Sequence, residues 1–392
     1  MKRLVRLAQA VLILTTTATI AGLTYAQAPP CPEITVFEDG TPALSKSVNC
    51  NFSILEDRIE GNKTDILKLD VNNVIWVAKT GGDYTSLSAA MSSITTASAS
   101  NPFLIRIAPG TYYLSNTQAV KDHVYIRGSG IDVTNLECIN TTNCSTILSF
   151  GDVKTRVSDL TIYNRGAGKF GARVLGTGQN TCDITLENVR VRVSATGSGI
   201  NEAIQADTCF YVTIKNSSVR IAGGGTNNYG VWLENNTYVR VSGLEITVSS
   251  GSENNYGLYL KDNINTRYES VNASANGGSA RAAGLYVLST NPNIDASYFS
   301  GTGATLYNYA AYNVNGFLTL NDSTLSTNTS DPNHRAAYHG NRTSGRTRLI
   351  NSMITGPFIC EGPATSLSEC FRCGGVYERS LVAELDSFCE TP

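Results

Sequence analysis

Asp207 and Glu234 lie 27 residues apart, and the meaning of that interval depends on how the chain is wound. On neighbouring turns of a solenoid with a matching period, the two carboxyls would stand one strand spacing apart, about 4.8 Å. Carboxyls that close can share a proton and serve as acid and nucleophile, as in a retaining glycosidase, with Arg173 or Lys261 as the cation beside them. The competing expectation is a pair of solvated charges on a face that needs some. A second set falls in the same register. Trp232, Tyr259, Tyr286, Tyr312 and Tyr338 recur at intervals of 27, 27, 26 and 26. Directed outward, they form an aromatic stripe that could stack against sugar rings and hold a polysaccharide or cell-surface glycan along its length. Aromatic residues also suit strands for their own sake, so such a stripe stabilises a stack whether or not anything binds to it. A register slip of one residue would turn every ring into the core.

The elements that must position these residues are short strands. From Thr155 onward an apolar alternation restarts at Ile184, Val212, Val239, Thr266, Pro292, Leu318 and Thr347, at intervals of 29, 28, 27, 27, 26, 26 and 29. Two and seven places into most repeats stand apolar residues, such as Leu186 with Val191, Ile214 with Val219, and Leu349 with Ile354. They mark the inward faces of two short strands with a bend between them, near Asn188, Asn216, Gly243 and Asn351. A second strand follows each loop: Tyr229 to Leu233, Tyr256 to Leu260, Ala283 to Val287, Tyr309 to Asn313 and Arg335 to His339. In it Val231 and Leu233 point inward, so Trp232 and Glu234 point outward. Gln205 with Asp207, and Tyr259 with Lys261, are the equivalent pairs one turn to either side. One repeat cannot bury its apolar face alone, whereas stacked repeats can. The fold expected is all-β: a right-handed parallel β-helix over residues 73–356, with a short N-terminal helix and a disulfide-rich C-terminal cap over 357–392. A leucine-rich repeat has the length but needs a Leu/Asn consensus and a helix per repeat, neither of which is present.

Ahead of the repeats, Val77-Ala78-Lys79-Thr80-Gly81-Gly82-Asp83-Tyr84-Thr85-Ser86-Leu87 leads into a helical stretch through Ala89, Ala90 and Ile94. Leu104 to Tyr112 and His123 to Gly130 follow. This arrangement resembles the opening of pectin methylesterases and of the wider pectate-lyase-like β-helix superfamily. The resemblance implies a right-handed β-helix whose helix caps the open end of the stack, where free strand edges invite aggregation. It would also imply a site of two aspartates, a glutamine and an arginine in Gln-Ala-Val, Gln-Asp-Thr and Gly-Arg-Pro-Trp motifs. Those motifs are absent from the expected places. Gln118-Ala119-Val120 copies one tripeptide but precedes the repeats and is read as coincidence, so the activity is not carried over. Thr41 through Val48, Phe52, Leu55 and Ile59 also resembles a short stem found ahead of bacterial tail-spike-like proteins.

The ends of the chain bear on location and assembly. Lys2, Arg3 and Arg6 precede an apolar run from Leu7 to Tyr25 and the small-residue triplet Ala26-Gln27-Ala28, the pattern of a cleaved export signal over residues 1–28. The expected location is secreted, periplasmic or cell-surface, with no membrane association after cleavage. Within residues 29–72, Val48, Phe52, Leu55, Ile59, Asn62, Ile66 and Leu69 repeat at coiled-coil spacing. They form either a seam for a homo-oligomer or a single amphipathic helix lying over the end of the main domain. The ten cysteines all follow the signal: Cys31, Cys50, Cys138, Cys144, Cys182, Cys209, Cys360, Cys370, Cys373 and Cys389. An even number in an exported chain favours disulfides over a zinc site. Cys182 and Cys209, one repeat apart, are candidates to bridge adjacent turns, and Cys138 with Cys144 would close a small loop. No cofactor or metal is expected, since Asp262, Asp295 and Asp322 lack a calcium-loop spacing. The formal charge is −2, and loss of Lys2, Arg3 and Arg6 takes it to −5. No basic field remains to hold a nucleic acid. The expected function is glycan binding without catalysis. A polysaccharide esterase, lyase or hydrolase, or a purely structural solenoid, are the alternatives.

Overall fold

The computed structural model describes residues 73–138, 145–165, 170–177, 182–194, 199–327, 334–339, 346–355, 358–360, 371–374 and 377–378. The chain winds as a right-handed parallel β-helix. Thr155 pairs with Ile184, Ile184 with Val212, Val212 with Val239, Val239 with Thr266, and Leu318 with Thr347, all in parallel. The repeat read from apolar alternation is therefore the rung of the solenoid. Rungs also run upstream of Thr155, where Phe103 lies between Asn73 and Val124 and Ile126 sits against Val157. Unequal rung lengths hide them from any fixed period. Parallel pairing continues past residue 356, because Phe371–Gly374 and Tyr377–Glu378 pair with the strands before them.

Each regular rung consists of one bent strand and one strand of a separate ten-stranded sheet. The bend is a ladder of left-handed residues: Asp159, Asn188, Asn216, Gly243, Ser270, Ala296, Asp322 and Asn351 all have φ between 46° and 60°. Asn, Asp and Gly tolerate that conformation, and repeating it in every rung locks the register, since a slip would force bulky residues into it. The bends expected at Asn188, Asn216, Gly243 and Asn351 are those observed. Ala296 holds the same conformation, at φ 47°, without a side chain suited to it. Ala296→Asn, which matches the neighbouring rungs, is expected to raise unfolding stability by about 1 kcal/mol. Denaturant titration checks this, and an unchanged or lower midpoint would refute it.

Inward positions form continuous apolar columns. Leu186, Ile214, Val241, Ile294 and Leu320 are at most 2 % exposed along one face, and Val191, Val219, Ile246 and Leu325 line the next. Tyr268 interrupts the first column, fully buried, and burial pushes its phenol far above the ordinary range. Neither its hydroxyl nor that of Thr266 reaches good hydrogen-bond geometry. Polar ladders satisfy the backbone where the chain turns. Asn236 donates to the Ala206 carbonyl at 2.9 Å, and Asn263 donates to the Leu233 carbonyl at 2.7 Å. The Asn263 side-chain oxygen in turn accepts from the backbone and side chain of Asn236, both at 3.0 Å. Such buried amides hold one rung to the next because every group in them is paired.

Cys182 and Cys209 form a disulfide between adjacent rungs, with Cα atoms 5.3 Å apart, as their spacing predicts. Closing a loop of this length stabilises by about 3 kcal/mol in the chain-entropy model, so Cys182→Ser with Cys209→Ser should cost about that much in denaturant unfolding. A double variant as stable as the oxidised parent would refute the estimate. Cys138 is also disulfide-bonded. Cys144, Cys31, Cys50, Cys370 and Cys389 lie outside the described residues, as does the Val48 to Leu69 seam.

The helix expected through Ala89 and Ala90 spans Leu87–Ser93, with Ile94 as its C-cap. The Ser86 hydroxyl caps its start by accepting from the Ala89 amide at 3.2 Å. Leu87, Ala90 and Met91 bury its apolar side against the first strands, Asn73–Val77 and Phe103–Ile107. Gln118–Ala119 lies upstream of the regular repeats, within the span expected for the β-helix, and forms a strand of the ten-stranded sheet, paired with Leu148 and Ser149. The tripeptide motif that begins there therefore belongs to the solenoid wall, although Ala119 is exposed and the Gln118 amide turns back to the Ala119 carbonyl at 2.8 Å. Among the described residues no helix is long and apolar enough to cross a membrane.

Candidate functional site

The ten-stranded sheet carries the outward residues of interest on Phe170–Leu175, Ile200–Asp207, Asn227–Glu234, Asn254–Lys261, Arg281–Leu288, Tyr307–Val314 and His334–His339. Register sorts them into columns. One reads Arg173, Gln205, Trp232, Tyr259, Tyr286, Tyr312, Tyr338. A second reads Phe170, Glu202, Tyr229, Tyr256, Ala283, Tyr309, Arg335 along the same pairings. A third begins Leu175, Asp207, Glu234, Lys261, Leu288. Each residue predicted to occupy this face therefore stands on it, in consecutive rungs.

The first two columns lie side by side because the strands break their alternation. Gly230 and Val231 are both buried between the outward Tyr229 and Trp232, and Gly257 and Leu258 repeat the pattern. A small residue is required there: a Cβ on Gly230 would sit 2.3 Å from the Ile246 side chain, and one on Gly257 would sit 2.5 Å from the Gly284 carbonyl. The two columns then merge into one aromatic cluster, with Tyr229 and Trp232 ring centroids 4.6 Å apart and Tyr309 and Tyr312 4.7 Å apart. The second column was not read from the sequence. Its signal was available, since Tyr229 and Tyr256 share the spacing of Trp232 and Tyr259 and Tyr309 recurs two rungs later.

Ring orientation changes what the stripe can do. Tyr259 and Tyr286 stack at 4.9 Å and 13°, Tyr286 and Tyr312 at 4.9 Å and 13°, and Tyr312 and Tyr338 at 4.5 Å and 10°. Their faces lie against one another along the solenoid axis, so edges and hydroxyls are what they present outward. Trp232 breaks the pattern, tilted 54° to Tyr259, with its indole N–H donating to Glu234 Oε2 at 2.9 Å. The stacked part of the stripe therefore forms a ribbon of tyrosine edges. Burial, reinforced by neighbouring phenols, pushes the Tyr229, Tyr259 and Tyr309 hydroxyls well above their ordinary range and Tyr286 up to about 12. All four stay protonated near neutrality, able both to donate and to accept.

The charged groups sit at one end of the stripe and along one flank. Glu234 is bound on both oxygens, by Lys261 and by Trp232, and the hydrogen bond that Lys261 donates to Glu234 raises the pKa of the ammonium. Asp207 Oδ1 accepts from the Thr208 hydroxyl at 2.9 Å and from Asn235 at 3.1 Å. Arg173 donates to Gln205 at 2.7 Å and lies over the Phe170 ring at 4.5 Å. Arg281, which the sequence did not single out, hydrogen-bonds Tyr256 and lies 5.7 Å from the Tyr312 ring centre. Register makes Asp207 and Glu234 neighbours, while the observed bonds tie each to a different partner. Among the described residues no group of three or more His, Cys, Asp or Glu side chains is placed to hold a metal ion.

No family model matches the sequence, and no curated protein does. Solved structures of similar winding do exist. The A-module of the Azotobacter vinelandii mannuronan C-5 epimerase AlgE4 aligns at 14% identity over 79% of this chain and 94% of its own, with a TM-score of 0.47. Pectate lyase Pel9A aligns at 14% identity over 76% and 82%, with a TM-score of 0.41. Pectin methylesterase PemA from Erwinia chrysanthemi aligns at 12% identity over 82% and 92%, with a TM-score of 0.33. The likeness is remote, and the fold rests on the strand register given above.

Proposed function

We propose that this protein is an exported, non-catalytic solenoid that holds an extended polysaccharide along its tyrosine ribbon. One observation carries the reading: tyrosine rings repeat along one face at spacings of 4.5 to 4.9 Å. That interval is close to the length of a single sugar ring in an extended chain, so successive residues of a polymer can meet equivalent hydroxyls. Weak contacts repeated in step add up to useful affinity, because each further contact is intramolecular once the first has formed. Trp232, the ring not held parallel to its neighbour, would supply stacking at one end of the track. Asp207 and Glu234 are held by other partners, which supports binding over catalysis on this face.

A second reading has its own observation. Rings stacked at 10° to 13° stabilise the solenoid by themselves, so the ribbon would serve rigidity alone. Ring-preserving variants separate the two. Tyr286→Phe with Tyr312→Phe keeps the stack and removes two hydroxyls. Under the binding reading, affinity for a polysaccharide found on a glycan array falls about tenfold, the loss of roughly one net hydrogen bond, with thermal stability nearly unchanged. Unchanged affinity would assign the ribbon to structure. A polymer that the parent shortens or de-esterifies, but that stays intact with the Asp207→Asn, Glu234→Gln variant, would instead restore the enzyme alternative.

A further inference from the structure

The charges around the ribbon say what kind of glycan it takes. We infer that the face selects an uncharged polysaccharide and excludes polyuronates, an inference that rests on the glycan-binding reading above. Among the described residues four cations reach this face, and each is engaged within the protein. Arg173 is tied to Gln205 and lies over Phe170, Lys261 is paired with Glu234, and Arg281 is bonded to Tyr256. Arg335 acts on Tyr309 and is not free. The same columns carry two partly exposed carboxylates, Asp207 and Glu234, with Glu202 buried beneath the face. A polyanion laid along the ribbon would have to break one of these pairs and run past those carboxylates, on a chain whose formal charge is already −2. Like-charge approach and the uncovering of a paired charge both oppose that. The tyrosine hydroxyls meet neutral hydroxyls without displacing anything.

The test uses the full mature chain, oxidised, against soluble arabinoxylan and mixed-linkage glucan on one side and polygalacturonate and alginate on the other. Affinity electrophoresis and calorimetry are run at low and high salt. Binding to a neutral polymer that salt leaves unchanged, with none to the polyuronates, is the expected result. Glu234→Gln releases Lys261 from its partner and should raise polyuronate binding several-fold, provided its melting temperature matches the parent. Tighter binding of polyuronate than of neutral polymer, weakened by salt, would overturn the inference and leave the glycan reading standing. A neutral-selective parent whose Glu234→Gln variant gains nothing would overturn it as well, by showing that paired charge is not the filter. Silence with all four polymers would overturn the glycan reading and this inference together.

Discussion

Gly257→Val is expected to cost at least about 3 kcal/mol, the upper end of what overpacking a core costs, and to dismantle the aromatic face as it does so. Gly257 stands in an inward column with Gly171, Ala203, Gly230, Gly284, Ala310 and Ala336, where the ten-stranded sheet turns towards the strand opposite. A Cβ on Gly257 would lie 2.5 Å from the Gly284 carbonyl and 3.1 Å from the Ala273 methyl group. Backbone cannot swing aside as a long side chain can, so the rungs would have to part. Gly257→Ala should therefore cost an intermediate amount and Gly257→Val the most. Denaturant unfolding gives the ranking, and near-ultraviolet circular dichroism reports whether the tyrosine stack survives. A valine variant as stable as the parent would show that the close approach at this corner does not bear on stability.

That corner also shows what the sequence could and could not convey. The rung repeat was legible because inward apolar residues recur in the regular rungs and Asn or Gly stands at half of their left-handed bends, each for a separate physical requirement. The Cys182–Cys209 disulfide followed from the same period. Rungs through Asn73, Phe103 and Val124 were not legible as repeats, since insertions such as the Leu87–Ser93 helix change their length. On the ten-stranded face, alternation placed Trp232, Tyr259, Tyr286, Tyr312 and Tyr338 correctly. It gave no account of Tyr229, Tyr256 and Tyr309, because two consecutive inward residues break the period of two. Nor does a spacing of 27 residues reveal whether rings face each other or face solvent. Side-chain rotation decides that, and it is set by contacts with the second aromatic column.

The ladder should make the protein sensitive to alkali in a way that reports directly on the site. In an unfolded chain each tyrosine ionises near pH 10. In the folded chain, burial holds Tyr286 to about 12 and raises Tyr229, Tyr259 and Tyr309 as well. Between those limits the native state keeps protons that the unfolded state has released. The stabilisation is thus fully present below pH 10 and is lost as pH rises through 10 towards 12 and above. Its slope is about 1.4 kcal/mol per pH unit for each fully retained proton, and smaller for the partly exposed Tyr229, Tyr259 and Tyr286, which water screens, than for the buried Tyr309. Phenolate absorbance and far-ultraviolet circular dichroism, followed together, should change in one steep and coincident step, because ionising one ring places a charge in the stack and loosens its neighbours. Tyr286→Phe removes one of the linked protons without removing a ring, so it should move that step to higher pH. Gradual phenolate formation near pH 10 with the β-signal intact would mean that the hydroxyls are solvated and act independently. The ribbon would then be too open to hold a polymer by concerted contacts along its length.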